Sequence, residues 1–218
     1  MTQFFINIYT WILLNVIPLI TWRKLRACFH GGVYYSLQES DHDELRRRLK
    51  PYYYIILVKH KANLSNLLVC IGTWIKTGKW GYWSHALMNL DEGKGEDGTG
   101  YQFMEAVSSG VKVSTFMEIF NCDSVCLLRP KGYTDADWAL TMDGLLQQEG
   151  KPYDALFNLQ QTSKDSCVEM VRDALMADKP DYAKDFADFE ALMQKENILT
   201  PDMFYDCKDF EIVWEMRR

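Results

Sequence analysis

Apolar and polar positions along this chain of 218 residues break it into short runs of alternating type. Residues 38 to 50 are charged and helix-prone, with Ser40 or Asp41 as cap and Glu44 to Lys50 as a solvated face; Pro51 ends that segment. Tyr52 to Val58 is a run of aromatic and β-branched residues and predicts a buried strand. From Asn63 to Ile75 apolar residues recur at helical spacing (Leu64, Leu67, Leu68, Ile71, Ile75), followed by the breakers Gly78 and Gly81. Trp83 to Leu90 and Tyr101 to Val107 predict two strands. The loop between them, 91 to 100, holds four glycines and four acidic residues, so the pair reads as an antiparallel hairpin.

The second half predicts a short helix over Val113 to Phe120 and a strand over Ser124 to Leu128. Thr134 caps a helix whose apolar stripe is Trp138, Met142, Leu145 and Leu146, closed by Gly150. After Asp165 and Ser166, both good N-cap residues, Val168, Val171 and Leu175 sit at helical spacing with Arg172 and Asp173 outward. Tyr182, Phe186, Phe189 and Met193 mark another helix, and Thr200-Pro201 starts a further one with proline at its first position. Phe210 to Met216 reads as a terminal strand. Strands and helices mixed in this way predict an α+β domain over 51–218, with 23–50 as a connecting helical region.

The first 22 residues stand apart, because none is charged and Phe4 to Trp22 is mostly apolar. That length approaches the roughly 20 residues that span a bilayer. A cleaved signal peptide fits poorly, since the basic start and a small-x-small site are missing. Arg23, Lys24 and Arg26 follow the stretch, which by the positive-inside tendency would leave the remainder in the cytoplasm. The alternative is an apolar helix that covers the domain's own surface or a partner.

Composition narrows the function classes. A hydrophobic content of 48% with 25% charged residues suits a folded domain, and a net charge of −6 argues against a general nucleic-acid binder. The six cysteines (28, 70, 122, 126, 167 and 207) are widely spread in a chain too long to need staples, so a reduced compartment is expected. Cys122 and Cys126 lack the second Cys or His pair of a zinc site.

Reactive chemistry centres on Cys167. A thiol at the first turn of a helix meets the positive end of the dipole and free N–H groups, which favour thiolate. His85 could take its proton and later return it to a leaving group. If Leu90 pairs opposite Gly100, His85 falls opposite Glu105, and the carboxylate could then orient the imidazole. The Cys167 N–H could stabilise an oxyanion, and Tyr153 could add a phenolic donor. Each residue also has a plain structural reading: a buried thiol, a satisfied core histidine, a surface glutamate and ordinary aromatic packing. His30, His42 and His60 lie in polar or irregular stretches or at a strand end.

The order and wording of these pieces resemble the circularly permuted NlpC-type, papain-like cysteine hydrolases, a group that includes YiiX-like proteins and some phage and poxvirus members. The likeness runs through Tyr54-Ile55-Ile56-Leu57-Val58-Lys59, Asn63 to Leu68, Trp83-Ser84-His85-Ala86 and Phe103-Met104-Glu105-Ala106 with Gly110-Val111. It continues in Gly150-Lys151-Pro152-Tyr153-Asp154, Ser166-Cys167-Val168-Glu169-Met170-Val171 and Thr200-Pro201-Asp202, so it spans roughly residues 50 to 215. The resemblance implies a papain-like fold, an antiparallel sheet packed with helices, here preceded by the apolar amino-terminal helix. It implies His85 as base, Glu105 as orienting residue, Cys167 as nucleophile and Tyr153 as an oxyanion or substrate-positioning group. It also implies an acyl-cysteine route on a peptide or lipid amide or ester, with no metal or organic cofactor. The competing expectations are a lipid-directed acyltransferase or lipase of the same fold, a non-catalytic binding module, and a membrane-anchored interaction protein in which the cysteine is merely buried. Tyr52-Tyr53 stands where the family's usual Gly-Asp precedes the opening strand.

Overall fold

The computed structural model describes residues 37–49, 53–60, 73–74, 78, 80–90, 101–154, 163–177, 185–196 and 199–217. The apolar stretch 1–22, most of the expected 63–75 helix and the 91–100 loop lie outside these residues. Among the described residues no helix is long and apolar enough to cross a membrane.

The described elements are α1 (Glu39–Leu49), β1 (Ile55–His60), β2 (His85–Asn89), β3 (Gln102–Val107), β4 (Gly110–Thr115), α2 (Phe116–Ile119) and β5 (Cys122–Pro130). Then come α3 (Asp135–Leu146), α4 (Cys167–Met176), α5 (Ala187–Glu196), α6 (Pro201–Asp206) and β6 (Phe210–Met216). All six strands join one antiparallel sheet in the order β4-β3-β2-β1-β5-β6, giving an α+β fold. Strand alternation divides the core in two. Ile55, Leu57, Ala86, Met88, Met104 and Ala106 point into a larger cluster with α3, α4 and the carboxyl-terminal helices. Ile56, Val58, Leu87 and Phe103 point into a smaller one with Leu45, Leu49, Phe116 and Ile119. The buried Asn89 side chain fixes the β1–β2 register by accepting the Tyr54 N–H at 2.6 Å.

Several boundaries differ from the sequence expectation. Val113 to Phe120 is a helix only from Phe116 to Ile119, because Val111 and Val113 instead extend β4 and pack on the larger cluster. Strand β5 runs from Cys122 to Pro130, longer than Ser124 to Leu128. Asp41 lies inside the first turn of α1 rather than at its cap, accepting the Gln38 N–H at 2.8 Å. Leu146 is half exposed while Gly144, not counted in the apolar stripe, is buried.

Gly144 explains how closely α3 and α4 pack. A β-carbon added there would overlap that of Ala177, just beyond α4, and would crowd the Ala174 carbonyl at 3.4 Å. Neither neighbour is a flexible side-chain tip. Gly144→Ala is therefore expected to lower stability by about 1–3 kcal/mol despite alanine's better helix propensity. Adding Ala177→Gly should recover part of that loss. Urea unfolding of the single and double variants checks both statements.

Candidate active site

Cys167 is the first residue of α4, and its neighbours build the helix start. Ser166 is extended (φ −78, ψ 169) and its hydroxyl accepts the Glu169 N–H at 3.3 Å. Glu169 reaches back to accept the Ser166 N–H at 2.8 Å. This reciprocal cap occupies the third N–H of the helix and leaves those of Cys167 and Val168 without an intrahelical acceptor. The chain segment before it is tied down as well. Tyr153 and Asp165 form a parallel bridge, with Asp154 N–H on the Asp165 carbonyl at 3.1 Å and Asp165 N–H on the Pro152 carbonyl at 3.0 Å. Lys151 Nζ lies 3.0 Å from the buried Asp165 Oδ2. Val111 of β4 exchanges hydrogen bonds with this segment, donating to the Lys151 carbonyl and accepting the Gly150 N–H, each at 2.9 Å. Gly110 (φ 110) permits the approach, since a β-carbon there would stand 2.7 Å from the Lys151 carbonyl oxygen.

His85 opens β2 and Glu105 lies on the neighbouring β3. Their pairing is not the one expected from aligning Leu90 with Gly100. Met88 pairs with Met104 and Asn89 with Phe103, a shift of two residues that makes Glu105 a diagonal neighbour of His85. A shift of two preserves the face, and a glutamate is long enough for the diagonal. His85 Nε2 and Glu105 Oε2 are 2.9 Å apart, and both residues are buried. The other carboxylate oxygen accepts the Ser114 hydroxyl at 2.5 Å, with Lys112 Nζ at 3.7 Å. Cys167 lies close enough to the His85 imidazole to act on its proton affinity. With Nε2 on Glu105, Nδ1 is the nitrogen left for the thiol.

Charge and burial compete here. Burial alone would push His85 towards the neutral form, but Cys167 and Glu105, by charge and by hydrogen bond, raise it to about 10. Burial would raise Glu105, yet the His85 hydrogen bond and charge, with Ser114 and Lys112, bring it down to about 2. Tyr153 is moved upward by burial and by the negative field of Cys167, Asp154 and Glu169, which keeps its hydroxyl protonated. Cys126 and Cys207 are pushed up to about 12, mainly by burial. The described cysteines, at 122, 126, 167 and 207, are all free thiols.

Cys167, His85 and Glu105 are thus brought together, with Tyr153 near enough to feel the thiol. Four supporting residues were not singled out from the sequence. Ser114 and Lys112 brace Glu105 from β4, a strand half read as helix. Asp202 accepts the N–H groups of Tyr82 (2.8 Å) and Trp83 (3.3 Å), holding the lead into His85. His60 lies beside His85, their ring centroids 5.7 Å apart. Its placement follows from the β1–β2 register, in which Val58 pairs with His85.

No family model matches this chain, and no curated protein matches it. Among solved structures it is similar to the metalloprotein yiiX from Escherichia coli O157:H7, with a TM-score of 0.52 and 16% sequence identity, covering 78% of this chain and 99% of that one. The chain therefore has a YiiX-like fold.

The imidazole and the carboxylate contribute to stability over different pH ranges. His85 gains proton affinity on folding, so its contribution is complete below the ordinary 6.5 and is lost as pH rises through about 10. Glu105 loses proton affinity, so its contribution is present above 4.5 and is lost as pH falls through about 2. Glu105→Gln should cost about 2–4 kcal/mol between those limits, the range for breaking a buried charge-assisted pair. The difference from wild type should shrink towards both extremes. Denaturant titrations across pH measure it.

Proposed function

We propose that this protein is a papain-like thiol hydrolase or acyltransferase of amide or ester bonds. The observation that carries the reading is Cys167 at a capped helix start beside a His85 imidazole that is hydrogen-bonded to Glu105. In the first step the Cys167 sulfur attacks the acyl carbon, forming a C–S bond. The carbonyl oxygen becomes an oxyanion facing the Cys167 N–H, with the Tyr153 hydroxyl as a second donor. His85, holding the proton, passes it to the leaving nitrogen or oxygen as the old acyl bond breaks. In the second step water, or an acceptor alcohol or amine, gives a proton to His85 and attacks the thioester. The thiolate leaves and the imidazolium is restored. Glu105 stays ionised throughout and fixes the ring.

The yiiX neighbour is a metalloprotein. The residues of this site do not suit a metal, because His85 Nε2 and each Glu105 oxygen already have hydrogen-bond partners. Among the described residues no group of three or more His, Cys, Asp or Glu is arranged to hold an ion. Both a peptide amide and a lipid amide or ester suit the chemistry. The apolar residues 1–22 favour a substrate at a membrane, on whose cytoplasmic side the domain would work.

Incubation with activated esters, peptide amides and short-chain lipid esters, followed by intact-mass and peptide mapping, tests the proposal. Wild type should carry a transient acyl mass on Cys167 and release the acid. Cys167→Ala should carry none and lose turnover by about 10³-fold or more. Equal turnover by Cys167→Ala, or acyl transfer to other residues alone, would contradict it.

A further inference from the structure

The end of strand β1 bears on the site. Val58 pairs with His85, so His60, two residues further along β1, lies on the same face of the sheet as His85. On the other side Lys59 pairs with Ser124 of β5 and His60 with Cys122, the skipped Asp123 forming a bulge in β5. The His60 ring lies 5.7 Å from the His85 ring, centroid to centroid, tilted by 38°. Ser84, the residue before His85, fixes the two backbones relative to each other. Its hydroxyl accepts the His60 N–H at 3.0 Å and donates to the Val58 carbonyl at 3.2 Å, while its own N–H reaches the same carbonyl at 3.1 Å.

Glu105 holds the His85 ring at Nε2. A single hydrogen bond at the ring edge leaves the ring free to tilt, and a second ring packed beside it opposes that motion. We propose that His60 is a positioning residue of the site, its tilted ring packing beside His85 to hold the imidazole between Glu105 and Cys167. The inference rests on the thiol-hydrolase reading.

The electrostatic setting agrees with this. Burial and the charge of His85 lower His60 to about 4, so it presents a neutral ring to a protonated one. A cation within about 6 Å of a neutral aromatic ring is attracted to its face. The other groups around the pair are Glu105 of β3, Lys112 of β4 acting through Glu105, Cys167 of α4 and Cys122 of β5. Lys59 does not compete, since its Nζ lies 4.0 Å over the Tyr82 ring.

The test is the rate of Cys167 alkylation by iodoacetamide, measured from about pH 6 to about pH 9 by peptide mass spectrometry in the full chain. In wild type the rate at the acid end should stay high. His60→Ala should slow it there by roughly 3- to 10-fold, the size expected for one aromatic pair, and steepen the profile. His60→Phe, which keeps a ring without nitrogens, should restore most of the wild-type rate. His60→Gln, polar without a ring, should resemble His60→Ala, and the Phe–Gln comparison carries the test if His60→Ala fails to fold. A profile unchanged in His60→Ala overturns the inference, as does His60→Phe being as slow as His60→Gln. If wild-type Cys167 itself reacts no faster than the other cysteines, the hydrolase reading falls and this inference with it. An activated wild type with indifferent His60 variants overturns this inference alone.

Discussion

A 2.9 Å hydrogen bond between His85 Nε2 and Glu105 joins two adjacent strands inside the protein. Burying an imidazolium and a carboxylate costs several kcal/mol per ion unless each is paired and further hydrogen-bonded. The surroundings meet that condition from both sides. Ser114 and Lys112 on β4 brace the carboxylate, and Cys167 at the α4 start engages the imidazole. Much of the local architecture supports this arrangement. The β3–β4 turn places Ser114 diagonal to Glu105, and Gly110 at the same turn lets the Lys151–Tyr153 segment dock against β4. That segment then bridges to Asp165, immediately before the helix cap.

Much of this was legible in the sequence. Asp165 and Ser166 are both N-cap residues and put Cys167 at the first turn of a helix; the structure adds Glu169 as the other half of the cap. The hairpin was legible from its polar, glycine-rich loop, and strand parity put His85 and Glu105 on one face. The register was two residues off, because the loop that sets it has no apolar pattern to count from. The error did no harm to the face assignment, since period-2 alternation is blind to even shifts.

What escaped the sequence has a common physical character. The packing of His60 beside His85, the brace from Ser114 and Lys112, and the Asp202 contact to the Tyr82 and Trp83 backbone are tertiary events between segments distant in the chain. No local propensity encodes them. The helix expected at Val113 to Phe120 is shortened to Phe116–Ile119 for the same reason. Val111 and Val113 suit either periodicity over so short a run, and pairing with β3 decided for strand. The YiiX-like fold agrees with the YiiX-like part of the resemblance seen in the motif order.

The central claim is that His85 activates Cys167. Competitive alkylation at about pH 6 measures it directly, with the rate at Cys167 referred to the remaining cysteines in wild type and in His85→Ala. Cys126 and Cys207, held high by burial, are internal controls. The account predicts that Cys167 outpaces them by at least about 10²-fold in wild type and that His85→Ala removes most of this advantage. Equal rates at all the cysteines, or an advantage that survives loss of the imidazole, would contradict it.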